Sequence, residues 1–343
     1  MQKRKNRREY NEHFVEGQHL KLDDLKEEAQ DLENQYLFRE NIPSYPRPEF
    51  HVSHLKHDTN QVGLKGIRRD GGFRARDPLR AQDSRRQTPL LWWSLSVRPD
   101  DVTAAETGLL EKTFPDRSQE QVQRQQSFLG RFATSPAFMK SSRLGSYRFT
   151  FPLEEVLEAY SEQFCSGAQP VLRVYETVLY KQEVMYSVLV HSPANQELFL
   201  KYPLLTDDPN AVCAFKDGRF IWRPEAMCET HSYELIEKRD ENQMDVRQLF
   251  GSDCEYYVWD HVVVALHLEE EQVLEFDRDK LRENLKFCDK GPATITRYNF
   301  DGFKEAETLV KELWPDDPAS LEKEMSLQEL LAASCVTEPD ACD

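Results

Sequence analysis

The chain has no Cys-x-x-Cys pair, no Gly-x-Ser-x-Gly, no Walker-type glycine loop and no long apolar run. The first absence removes the usual zinc framework and the second the serine nucleophile of the α/β hydrolases. The third removes the P-loop, and the longest apolar stretches fall far short of the about 20 residues that a membrane helix requires. Cysteine is sparse: Cys165, Cys213, Cys228, Cys254, Cys288, Cys335 and Cys342 are odd in number and scattered, which reads as reduced thiols. Positive charge is also in deficit. With 44 Lys and Arg against 61 Asp and Glu the formal charge is −17, which argues against a protein that coats nucleic acid through its net field. The opening MQKRKNRREYNEHF lacks the apolar core of a signal peptide, so the expected setting is cytoplasmic or nuclear.

What is present reads as one α+β domain with flanking pieces. Residues 1–18 carry Lys3, Arg4, Lys5, Arg7 and Arg8 and read as a basic, disordered tail, or else as a nuclear-localisation or RNA-contacting arm. Residues 19–40 place Leu20, Leu22, Leu25, Leu32 and Leu37 among acids, an amphipathic helix with a narrow stripe. Pro43, Pro46 and Pro48 make 41–48 an extended linker. The domain proper is expected over 49–315, and a last helix with an acidic tail over 316–343. Within the domain, short β-rich runs alternate with helical stretches. Leu90–Val97 is a buried strand, Ser118 with Gln121 has capping-box spacing, and Lys216-Asp217-Gly218 signals a hairpin. The expected architecture is a mostly antiparallel sheet with inserted helices.

One unit stands out at Phe50–Phe73, FHVSHLKHDTNQVGLKGIRRDGGF. A strand-like segment leads into a helix capped at Asp58 or Thr59, with Val62, Leu64 and Ile67 on its apolar face. Gly71-Gly72 ends the helix and Phe73 closes the cap. Two later segments hold chemistry-bearing side chains, Trp92-Trp93-Ser94 and Glu255-Tyr256-Tyr257-Val258-Trp259-Asp260. Together these residues resemble the ADP-ribosyltransferase superfamily, in particular its poly(ADP-ribose) polymerase-like branch. Phe50-His51-Val52-Ser53 stands where that family has an apolar residue and His-Gly-Ser/Thr, with Val52 in place of the glycine. Gly66-Ile67 through Gly72-Phe73 is similar to its "GI…GF" helix end.

The resemblance implies NAD as cofactor and, for an active enzyme, transfer of ADP-ribose to a protein or nucleic acid. It also implies His51 on the adenosine ribose, Ser53, Trp92, Trp93 and Ser94 around the nicotinamide, and Glu255 as the catalytic carboxylate. Glu183, which also heads a strand, competes for that last role. A carboxylate there would accept from a ribose hydroxyl and steady oxocarbenium charge as the glycosidic bond breaks. No metal is expected, because His51, His54 and His57 do not share one side of a strand or helix. On neighbouring strand positions only one of Trp92 and Trp93 can face a pocket.

The alternative from another class is a non-catalytic interaction protein on the same fold that meets a protein partner through its terminal helices. Further behind stands an RNA phosphoesterase, since His51-Val52-Ser53 is one His-x-Ser unit and such enzymes need two. No membrane partner is expected.

Overall fold

The structure is a computed structural model that describes residues 1–6, 9–40, 42–75, 88–227, 232–250, 258–291 and 299–334. Its centre is a nine-stranded sheet. In chain order the strands are β1 (Gln2–Lys5), β2 (Asn11–Glu16), β3 (His54–Thr59), β4 (Leu90–Ser96) and β5 (Tyr147–Pro152). They continue with β6 (Val171–Tyr180), β7 (Glu183–His191), β8 (Trp259–His267) and β9 (Leu285–Phe287). Across the sheet the order is β1-β2-β6-β7-β8-β4-β3-β5-β9, and every pairing is antiparallel except β7 with β8. The class is α+β, as the alternation of short strands and helices predicts. No helix among the described residues is long and apolar enough to cross a membrane.

The two faces of this sheet differ in kind. Register places Leu55 opposite Leu95 and Phe151, Trp93 opposite Val264, and Val264 opposite Val188. All six side chains are buried, and they form the apolar core face. The helix Leu153–Phe164 packs against β3 and β5 and adds Val156 and Tyr160 to this core. One residue along, the cross-strand row reads Thr150, Lys56, Ser94, Val263, Ser187 and Glu176. Side chains that sit opposite one another share a face. This row on the other face is polar apart from Val263, although Lys56, Ser187 and Glu176 are themselves buried; farther along the same face Leu90, Leu189 and Ala265 pack with Tyr175, Phe199 and Tyr202 in a second apolar cluster.

Sequence and structure part company at the N-terminal end of the domain. The basic run expected as a disordered tail contributes β1 and β2, because Arg4 reaches inward to Glu12 and Glu176 while Phe14 and Val15 are buried. In the expected helix 19–40 only Leu22–Glu28 is helical; it buries Leu25, and Ala29 and Leu37 are buried beyond its end. Residues 42–48 have neither helix nor strand, and Ile42 and Tyr45 pack against the core. Leu327–Ser334 is the terminal helix, and the acidic tail lies outside the described residues.

The Phe50–Leu55 strand is in fact two. Phe50–His51 pairs with Arg219–Trp222 in a separate three-stranded sheet, and Val52 gives its N–H to Phe220 O at 3.0 Å. The chain then passes Ser53 and joins the central sheet only at His54. The helix that follows, Gln61–Asp70, starts one residue later than expected: Asn60 is its cap, accepting from Gly63 N, and Gly71 ends it at φ 71°.

Two adjacent tryptophans on opposite faces give a direct stability contrast. Trp93→Ala should lower the unfolding free energy by about 3–5 kcal/mol, as for a fully buried aromatic. Trp92→Ala, at a half-buried position, should lower it by less than about 1.5 kcal/mol. Urea unfolding of the two variants measures both, and equal losses would contradict the face assignment.

Candidate functional site

The polar face of the sheet floors a cavity of about 1120 Å³. Lys56, Trp92, Ser94, His261 and Val263 line the floor. The segment from Pro136 to Leu144 with Arg148 forms one wall, Arg4, Glu12 and Glu176 form another, and the helix Gln61–Asp70 forms the lip. Two glycines set this geometry. A Cβ on Gly63 would sit 1.9 Å from Thr59 Oγ1, so the first turn of the helix can close onto the strand end only without a side chain there. Gly145, at φ 156°, would bring a Cβ within 2.2 Å of Thr59 O. Its absence lets the wall segment approach the strand–helix junction.

The acids among the described lining residues are engaged by arginines. Arg148 grips Asp58 with two hydrogen bonds, Nε to Oδ1 at 2.7 Å and Nη2 to Oδ2 at 2.9 Å. Arg4 binds both oxygens of Glu176 at 2.9 and 3.0 Å and also Glu12 at 2.6 Å. Arg143 meets Glu183 at 2.7 Å, and Asp70 is held by Arg69 and Arg74. Forked, charge-assisted pairs of this kind fix carboxylates firmly. Burial by itself would raise the Asp58 pKa, but the Arg148 guanidinium outweighs it and holds the carboxyl below its ordinary range.

Lys56 behaves differently. Its Nζ donates to the carbonyls of Pro136 and Met139 and forms no ion pair among the described residues; burial, with Arg148 nearby, lowers its pKa to about 7. His261 is neutral for the same reason, its pKa driven down to about 3 by burial, and its Nδ1 has no partner among the described residues. His57 is also held neutral by burial, and its Nδ1 bonds Trp92 O at 2.9 Å. Because a carbonyl only accepts, that nitrogen carries the proton.

Of the residues singled out from sequence, Trp92, Trp93 and Ser94 line the cavity. Trp92 and Ser94 lie on its floor, and Trp92 packs against Tyr175 with ring centroids 6.3 Å apart. Trp93 belongs to the core, wedged among His57, Phe73 and Phe151. His51 and Ser53 are not among the lining residues. His51 is exposed beside Glu49, at 3.2 Å, and Ser53 Oγ donates to Asp101 at 3.0 Å. Both precede the point at which the chain enters the central sheet, which is why the structure does not bring them to the tryptophans. Glu255 lies outside the described residues. Glu183 is on the cavity wall.

The histidine that does meet the tryptophan strand is His57, within His57-Asp58-Thr59. This second His-x-Ser/Thr unit runs directly into the helix, and that adjacency was its signal in the sequence. No match emerges when the chain is compared with protein-family models, with curated proteins or with solved structures.

Loss of one partner of the Asp58–Arg148 pair should be severe. Asp58→Asn should destabilise the fold by about 3–5 kcal/mol, since Arg148 would remain buried without its counter-charge. The sign with pH follows from the lowered carboxyl pKa. The stabilisation is complete above the unfolded Asp value, near 3.9, and is lost as pH falls through the lower folded value. Acid unfolding of the parent against Asp58→Asn tests this. A stability difference that persists unchanged to pH 2 would exclude the pair as its source.

Proposed function

We propose that the cleft binds a nucleotide of the NAD class, and that the chain is an ADP-ribosyltransferase-like protein in which ADP-ribosyl transfer is weak or lost. The observation that carries this reading is Trp92, half-buried on the polar face beside Ser94, over a cavity of about 1120 Å³. An indole at that position offers a stacking surface for a flat heterocycle. The volume exceeds what a drug-sized ligand fills, so a dinucleotide has room.

The reading of weak or lost transfer rests on the acids. Oxocarbenium chemistry needs a carboxylate disposed toward the ribose hydroxyls. The described acids of the wall are turned to arginines instead. Among them Glu183, bound through one oxygen, is best placed to serve where transfer persists. The proposal includes a cytoplasmic or nuclear setting, in keeping with Cys165, Cys213 and Cys288 as buried free thiols.

NAD should raise the melting temperature, with a stabilisation of about 2.7 kcal/mol once its concentration reaches a hundred times Kd. Trp92→Ala should abolish that shift and leave the unliganded melting temperature close to that of the parent. No shift at millimolar NAD would remove the nucleotide and leave the non-catalytic interaction protein as the better reading. Should radiolabelled NAD mark the protein, Glu183→Gln is expected to erase the label; a label that survives would clear Glu183 of the role.

A further inference from the structure

Lys56 sits at the centre of β3, on the polar face, opposite Ser94 and Thr150. It lines the cavity and is 4% exposed. Its Nζ has two hydrogen-bond partners, the Pro136 and Met139 carbonyls of the wall, and both are acceptors. Buried lysines are ordinarily matched to a carboxylate. Here Asp58, two residues away on the same strand, is already taken by the forked Arg148. A neutral amine has two N–H bonds and one lone pair. With both hydrogens given to carbonyls, the lone pair occupies the remaining tetrahedral position and is available to an electrophile.

We propose that Lys56 is a nucleophilic amine that captures a carbonyl ligand in the cleft as an imine, the ligand being a small aldehyde that carries a flat ring. The nitrogen lone pair adds to the carbonyl carbon to give a carbinolamine. Both amine protons then leave with the carbonyl oxygen as water, and a C=N bond remains; no oxidant or metal enters. Trp92 and Tyr175 supply the surface for the ring. The groups around the amine are Arg148, Asp58, Glu324, Cys288 and His261. Arg148 and Asp58 offset each other, and burial presses Cys288 and His261 toward their neutral forms. Glu324 favours the ammonium and works against the lowering. With the amine pKa brought to about 7, much of the population is neutral near neutrality, whereas an ordinary lysine is almost wholly charged there. The inference depends on the polar face and its buried amine and not on NAD, so either can fail without the other.

Pyridoxal 5′-phosphate is the probe. The full chain is incubated with it at pH 7, reduced with borohydride and mapped by peptide mass spectrometry, then taken through a pH series. The expected result is an adduct on Lys56 ahead of all exposed lysines, with a midpoint near pH 7 and loss of the fast-labelling fraction in Lys56→Met. Competitive trace acetylation of the unmodified parent gives the same midpoint without a variant, should Lys56→Met fail to fold. Labelling confined to exposed lysines, or a Lys56 that reacts only above about pH 9 alongside them, overturns the proposal.

Discussion

Asp58 and Arg148 hold the architecture around the cleft together. The pair joins β3 to β5 across the sheet, and the same guanidinium reaches Met139 O at 2.8 Å and Ser141 O at 3.2 Å. One side chain thus fixes a strand pairing and the segment that walls the cavity. The arrangement works because the guanidinium has five donors in a planar fork. Two satisfy the carboxylate and others satisfy carbonyls that a loop pressed onto a sheet would leave without partners. Lys56 shares Met139 O with Arg148, so the buried amine depends on the same frame.

The two-faced sheet follows from that frame. In an ordinary sandwich the second face would be apolar and covered by another layer. Here the row through Lys56, Ser94, Ser187 and Glu176 is polar yet largely removed from water, which is tolerable only where hydrogen bonds or a ligand satisfy it. Ser187 Oγ and Thr150 Oγ1 are both buried without a partner among the described residues.

Much of the local structure was legible in the sequence, because it depends on residues close in the chain. The helix after Asn60 ends at Gly71 as its glycines require. Asp217 and Gly218 take φ 52° and 76°, the two positive values of a type I′ hairpin turn. Ser118 and Gln121 form their reciprocal cap. The opposite facing of Trp92 and Trp93 follows from pleat alone. What the sequence did not reveal was partnership. Alternation in Phe50–Leu55 is compatible with one strand or two, and only Phe220, far along the chain, determines that the first half belongs elsewhere. The charged run at residues 2–5 reads as solvated until Glu176 is placed opposite it, 172 residues away from Arg4. The polar row is likewise assembled from six strands, each contributing one residue that looks unremarkable alone.

The N-terminal hairpin carries a practical consequence for how the protein is handled. A shortened version that starts at the proline-rich stretch would look safe by composition, since it discards a strongly charged segment and keeps the expected domain. It would also discard Arg4, stranding the Glu176 carboxylate, of which only 3% is exposed, against the sheet with its forked counter-ion gone. Such a trimmed form would misrepresent the far wall of the cleft, and screening for ligands should begin from the intact N-terminus.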